Sequence, residues 1–358
     1  MRMKSKAHSR SRRSTVKPLN FLVGGLVALA AILASAQQGS AAPVDELIAA
    51  ARKEGRIEFY AASTLTPEGA QKLGEGFNKK YSLNIRLNYH PSGNMARDVG
   101  QVASLAAAGA PPEWDLMVVT DAHHATLWLR RLHQPFDYAR LGVGPKSVEY
   151  DNGTVILAHG FILPAYNSKV LAVKDVPRSW EDLVDPKWKG GKLGMTTAVH
   201  QLARLATVWG EEKATRYVKA LAGQQPVLGQ PAEIYTRLQL GEILAVITLA
   251  EGFIHRAKVT GAPVVHAGIE PVIAHASNAG VLKSARHPNV GHLFAAFLTT
   301  PEAQEIWEQY RGESSAFVPG TTAYKYAQGK KVLYMTQDKA EMVERLTTEY
   351  TKILGFMK

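Results

Sequence analysis

From residue 44 onward, short apolar runs alternate with amphipathic helical stretches, and this alternation decides the fold class before any single residue does. Ile57-Glu58-Phe59-Tyr60 reads as a strand, and Thr66-Pro67-Glu68 opens a helix with a capping hydroxyl, a first-turn proline and an early acid. Leu73, Phe77 and Tyr81 recur every four residues and mark that helix's buried face. Residues 85–89 form the next strand, Met95, Val99, Val102 and Leu105 line a second helix, and 115–119 form a third strand. Strand-helix-strand-helix-strand is the pattern of a parallel sheet covered by helices, an α/β fold.

A second set follows Tyr166, with strands at 192–195, 244–249 and 263–266 and helices at 199–209, 211–222, 232–240 and 253–260. Two sets in succession predict two lobes. The apolar stretches 154–164 and 269–275 read as strands crossing between them, although Pro271 counts against the second. Most of the remaining chain is helical (290–298, 301–310, 338–354). The expected division is 42–158 plus 269–300 for the first lobe and 159–268 plus 301–358 for the second.

The first 41 residues read differently. They carry seven basic residues and no acid, then an apolar run over 21–36 and the triplet Ala34-Ser35-Ala36, the layout of a secretory signal peptide. The run of 16 residues falls short of the roughly 20 that cross a bilayer as a helix. Cleavage is expected after Ala36 or Ala41. Ser11-Arg12-Arg13-Ser14-Thr15-Val16-Lys17 keeps the twin arginines of the folded-protein export signal but lacks its usual aromatic at Thr15. Either route predicts a periplasmic protein. The formal charge of +11 is largely this leader's, because the rest has 35 basic against 31 acidic residues and no basic, aromatic-interleaved stretch. A nucleic-acid partner is therefore not expected. With no cysteine there is no disulfide, thiolate metal site or lipid-modified cysteine.

In open parallel sheets ligands sit beyond the carboxyl ends of the strands, where following helices present free N–H groups that favour anions. The residues at those places are Ser63 and Thr64; Ser92, Gly93 and Asn94; Thr120 and Asp121; Thr196, Thr197 and Ala198; and Glu251. With His275, near a crossing strand, they form the candidate ligand-binding set. They are small, hydroxylated and sparingly charged, which suits an oxyanion or a small polar molecule, although such residues also cap helices everywhere. His123, His124, His159, His200 and His275 invite a metal reading, but the adjacent pair points about 100° apart on a helix and seldom shares an ion. Hydrolase-elbow, zinc-protease, dinucleotide and phosphate-loop motifs are all missing, so no enzyme and no cofactor are expected. An enzyme on this scaffold would need Glu251 or His200 as its base.

Tyr166-Asn167-Ser168-Lys169, Pro177-Arg178-Ser179-Trp180-Glu181-Asp182-Leu183 and Asp185-Pro186-Lys187-Trp188-Lys189-Gly190-Gly191-Lys192-Leu193-Gly194-Met195 resemble the periplasmic solute-binding proteins of ATP-driven (ABC) importers, in particular the ferric-iron-binding branch. Residues 279–289 with 293–298 and 301–304 repeat a second hallmark. The resemblance implies the type II periplasmic-binding-protein fold, two α/β lobes joined by two crossing strands, with the ligand in the cleft between them and lobe closure as the signal. It also implies a monomer that delivers a small-molecule ligand to a separate membrane permease and ATPase. The branch's iron ligands do not carry over. Its adjacent tyrosines match Leu249-Ala250-Glu251-Gly252, its early histidine falls near Thr64, and its carboxylate falls near Asp121. Its anion-holding helix start matches Thr196-Thr197-Ala198. The favoured ligand is thus an anionic organic solute or oxyanion, such as a phosphonate or carboxylate. The alternative is ferric iron or another metal held by Asp121, Glu251 and histidines.

Overall fold

The structure, a computed structural model, describes residues 44–357; the leader and its cleavage sites lie outside them. The first elements are α1 (44–54), β1 (Arg56–Ala62), α2 (Thr66–Tyr81), β2 (Arg86–Ser92), α3 (Met95–Ala107), β3 (Leu116–Thr120) and α4 (Asp121–Leu129). Then come β4 (Val148–Glu149), the long β5 (Thr154–Asn167), β6 (Leu193–Thr196), the single turns α5 (His200–Ala203) and α6 (Ala206–Trp209), α7 (Glu211–Gly223) and β7 (Val227–Gly229). The chain continues through α8 (Pro231–Leu240), β8 (Ala245–Ala250), α9 (Glu251–Thr260), β9 (Val264–His266), β10 (Val272–Val281), α10 (Pro288–Leu298), α11 (Pro301–Arg311), α12 (Thr322–Ala327), β11 (Val332–Leu333) and α13 (Ala340–Ile353).

One sheet runs through the molecule in the order β2-β1-β3-β10-β5-β8-β6-β7. Each flank is parallel, β1 with β2 and β3, and β6 with β7 and β8. The antiparallel pair β5 and β10 joins them. These are the two crossing strands, longer than the sequence suggests. Pro271 lies just before β10 and so removes no ladder donor, and its carbonyl accepts from Trp180 Nε1 at 2.9 Å. The far half of β10, Ala276-Ser277-Asn278-Ala279-Gly280, is too small and polar to read as a strand, yet every residue of β10 is buried between β3 and β5. The expected helix over 199–209 is two turns whose junction is tightened by three-residue bonds, Leu205 to Leu202 and Thr207 to Arg204.

Two large apolar cores flank the crossing strands. The first gathers Ile57, Phe59, Leu73, Phe77, Phe294 and Phe297; the second includes Trp180, Trp188, Leu193, Ile247, Leu346 and Tyr350. Within the importer-like motif, Trp188 Nε1 bonds Asp182 O at 2.9 Å, so both tryptophans bury their rings with the indole N–H satisfied. Ala303 and Trp307 of α11 belong to the first core, although the expected division placed residues 301–358 in the second lobe. From Ala316 onward the tail packs in the second core. Helix α4, which the sequence does not reveal behind His123-His124, seats Ala122 and Ala125 in that second core as well.

Candidate functional site

Strands β1, β2, β3, β6 and β8 all end at one cavity of about 210 Å³, beside the crossing strands. Ten of the twelve expected residues line it: Ser63, Thr64, Ser92, Gly93, Asn94, Thr120, Thr196, Thr197, Ala198 and His275. Asn94, Thr120, Gln230 and Ala250, the N-caps of α3, α4, α8 and α9, all lie in its wall. Only Asn94 caps its helix with its own side chain, accepting from Arg97 N at 3.1 Å; the other three ends have no side-chain cap. Four helix dipoles therefore present their positive ends to one space.

Asp121 and Glu251 are not in the wall. Asp121 is buried, its carboxylate taken up by both terminal nitrogens of Arg204 (one at 2.8 Å) and by the amides of Ala122 at 2.8 Å and Ala276 at 3.1 Å. Burial alone would raise its pKa, but the Arg204 guanidinium outweighs that and holds it below the usual range. Burial, with Glu313 nearby, pushes Glu251 up to about 7. The start of α5 is also less open to a ligand than the sequence suggests. The Thr197 amide is spent on Gly229 O at 3.1 Å, and the Ala198 amide reaches Thr196 Oγ1 at 3.3 Å. The Thr197 hydroxyl meets Gln230 Oε1 at 3.2 Å, an atom that Asn94 Nδ2 also reaches at 3.3 Å.

His123 and His200, read from the sequence only as metal or base candidates, also line the wall, and Gln201, Gln230, Thr248, Arg311 and Glu313 join them without having been expected in the binding set. Arg311 ends α11 and Glu313 follows it, after a helix rather than a strand, where the strand-end rule does not look. Gly312 turns the chain between them at a φ of 70°, a conformation that favours glycine, and a Cβ there would stand 2.4 Å from His255 Cβ. The Arg311 guanidinium reaches Thr64 Oγ1 and, at 2.6 Å, Glu313 Oε1. Glu313 Oε2 accepts from Ser277 Oγ at 3.0 Å, and His275 Nε2 stands 3.4 Å from Oε1. Burial would raise Glu313, but Arg311 and His275 outweigh it and hold the carboxyl far below its usual range. Gly160, opposite His275 in the ladder, leaves room for this cluster, since a Cβ there would stand 2.5 Å from the imidazole.

The cavity is thus nearly neutral in formal charge, with one arginine and one glutamate paired together. His123 stacks edge-on against His200 with ring centres 4.9 Å apart. Burial, reinforced by its neighbour His124, lowers His123 to about 4, and burial with His123 and Arg204 holds His200 well below its ordinary value. Among the described residues no tyrosine lines the cavity. Among the described residues no group of three or more His, Asp or Glu side chains could hold a metal ion, and no helix is long and apolar enough to cross a membrane.

Residues 57–310 match the family described as bacterial extracellular solute-binding protein. An uncharacterised Haemophilus influenzae protein is 29% identical over 163 residues; the match covers 43% of this chain and 46% of that relative, so it spans just under half of the relative's length. Iron-bound HitA from Pseudomonas aeruginosa superposes with a TM-score of 0.67 at 18% identity, covering 84% of this chain and 99% of that one. The periplasmic binding protein AfuA from Actinobacillus pleuropneumoniae, with fructose-6-phosphate bound, gives 0.63 at 20% identity over 85% and 99%. The fold is that of these type II periplasmic binding proteins.

Proposed function

The chain belongs to the bacterial extracellular solute-binding proteins, and from that premise we propose that it is the periplasmic capture component of an ABC importer, specific for a small anionic organic solute. It binds and releases its cargo unchanged, as a monomer exported through its leader, and hands the closed form to a separate permease and ATPase. The observation that carries the anion reading is the convergence of four helix N-termini on a cavity with no unpaired carboxylate. Backbone donors and dipoles stabilise a negative group there without a facing cation.

The twelve sequence-derived residues divide accordingly. Ser63, Thr64, Ser92, Asn94 and Thr120 supply hydroxyl or amide contacts at the strand ends, whereas Thr197 braces Gln230 and Asp121 supports the wall from behind. Melting curves of the mature protein against small organic phosphates and carboxylates test the proposal. A saturable rise in melting temperature with an organic anion is expected, since a ligand that binds only the folded state raises it by mass action. A rise with ferric salts alone would replace this reading with the metal-binding one.

A further inference from the structure

Strands β2 and β7 are the outermost of the sheet, seven steps apart in its order. In a flat sheet they would stand about 34 Å from each other, at roughly 4.8 Å per step. The residues that follow them nevertheless meet side chain to side chain. Asn94, after β2, donates from Nδ2 to Oε1 of Gln230, after β7, at 3.3 Å. The two parallel flanks are therefore folded toward each other over the cavity, with the crossing strands β5 and β10 at the fold.

The surroundings set the direction of this bond. Asn94 Oδ1 is spent on the start of α3, accepting from Arg97 N at 3.1 Å, which leaves Nδ2 as the donor toward Gln230. Gln230 must then answer with its carbonyl oxygen, and the Thr197 hydroxyl, from Gln230's own flank, donates to the same atom at 3.2 Å. The bridge is exposed to solvent, and all three residues line the cavity. Rotation of the flanks about the crossing strands moves the outermost strands furthest, so opening the cleft must break it.

We infer that Asn94 and Gln230 form a clip that favours the closed arrangement of the flanks independently of the cargo. The clip contributes part of the closing free energy that cargo contacts would otherwise have to supply. It raises affinity for every solute alike and does not choose among them. Nothing in it depends on the cargo's charge.

The chain has no cysteine, so spin labels can be attached at Ser104→Cys on α3 and Thr236→Cys on α8 alone, both exposed positions outside the cavity wall. Double electron–electron resonance on the mature protein, dialysed free of solute, then reads the separation of the flanks as short-distance and long-distance populations. Asn94→Ser keeps a capping oxygen for α3 but has no second polar atom to span the cleft. Asn94→Ser and Gln230→Ala should each lower the ratio of short- to long-distance populations about fivefold, the equivalent of roughly 1 kcal/mol for one hydrogen bond. Their combination should go no further than either alone, because both remove the same bond. Gln230→Glu, which keeps an acceptor for Asn94, should retain at least the parent ratio. An unchanged ratio in both Asn94→Ser and Gln230→Ala, or a loss in Gln230→Glu as large as in Gln230→Ala, would overturn the clip. Neither result would touch the anion reading, because no solute enters the measurement.

Discussion

Asp121 and Arg204, 83 residues apart, form a fully buried ion pair in which one guanidinium nitrogen lies 2.8 Å from the carboxylate and also 2.8 Å from the Ala274 carbonyl on a crossing strand. The pair ties the first turn of α4 to the turns that carry His200. It thereby fixes Thr120 and His123 on one side of the cavity relative to His200 on the other. Removing one partner leaves the other charge buried and alone. Asp121→Asn should therefore cost about 3–5 kcal/mol of stability, whereas the double change Asp121→Leu, Arg204→Met should cost far less. Urea denaturation measures both, and a loss under 1 kcal/mol in the single variant would contradict a buried, charged pair.

The buried histidines set an acid limit. Burial lowers His123, His124, His159, His266 and His292 to about 4 from an ordinary 6.5. Between pH 6.5 and 4 the unfolded chain takes up protons that the folded chain refuses, so stability falls as pH falls through that window. Glu149 and Glu251, raised from 4.5 to about 7 chiefly by burial, act in the opposite sense over that same range, giving up stability as pH rises from 4.5 through 7, but the five histidines outnumber them. In a Glu149→Gln, Glu251→Gln variant, which removes the opposing carboxylates, the urea midpoint should be clearly lower at pH 4.5 than at pH 6.5; an unchanged midpoint there would show that these imidazoles are accessible.

Gly160→Ala is a test of the cluster behind the cavity. The new methyl would stand 2.5 Å from His275 and 3.0 Å from Glu313, so both must move. Affinity for the cargo is expected to fall about 10-fold or more, on a loss of roughly 1 kcal/mol for each displaced hydrogen bond. Unaltered affinity would separate His275 and Glu313 from binding.

A change remote from the cavity should act on stability alone. Glu54 accepts the amides of Asn289 at 3.2 Å and Val290 at 2.8 Å, closing the start of α10. Glu54→Ala should cost about 1 kcal/mol, the usual loss for a helix cap, and leave ligand affinity as it was. A shift in affinity would mean that α10 is coupled to the cleft.

The fold was legible in the sequence because alternating patterns report directly on buried faces, and the strand-end rule then located nine residues of one cavity wall, with His275 found from its place near a crossing strand. It failed where a role depends on a distant partner. Nothing around Asp121 announces Arg204, so a carboxylate at a strand end reads as a ligand contact when it is a support. Arg311 and Glu313 reach the cavity from the end of α11 through the turn at Gly312, outside any strand-helix pattern. The small residues of β10 hid half a crossing strand, and α4 lacks a contiguous apolar stripe because His124 is itself buried, its Nε2 on Asn278 O at 2.9 Å and its Nδ1 on His133 at 2.9 Å.

The most direct measurement is native mass spectrometry, with elemental analysis, of the mature protein taken from its host's periplasm. The account predicts one small organic anion per chain, released intact on unfolding, with no stoichiometric iron. Stoichiometric iron, or a neutral or cationic cargo, would contradict it.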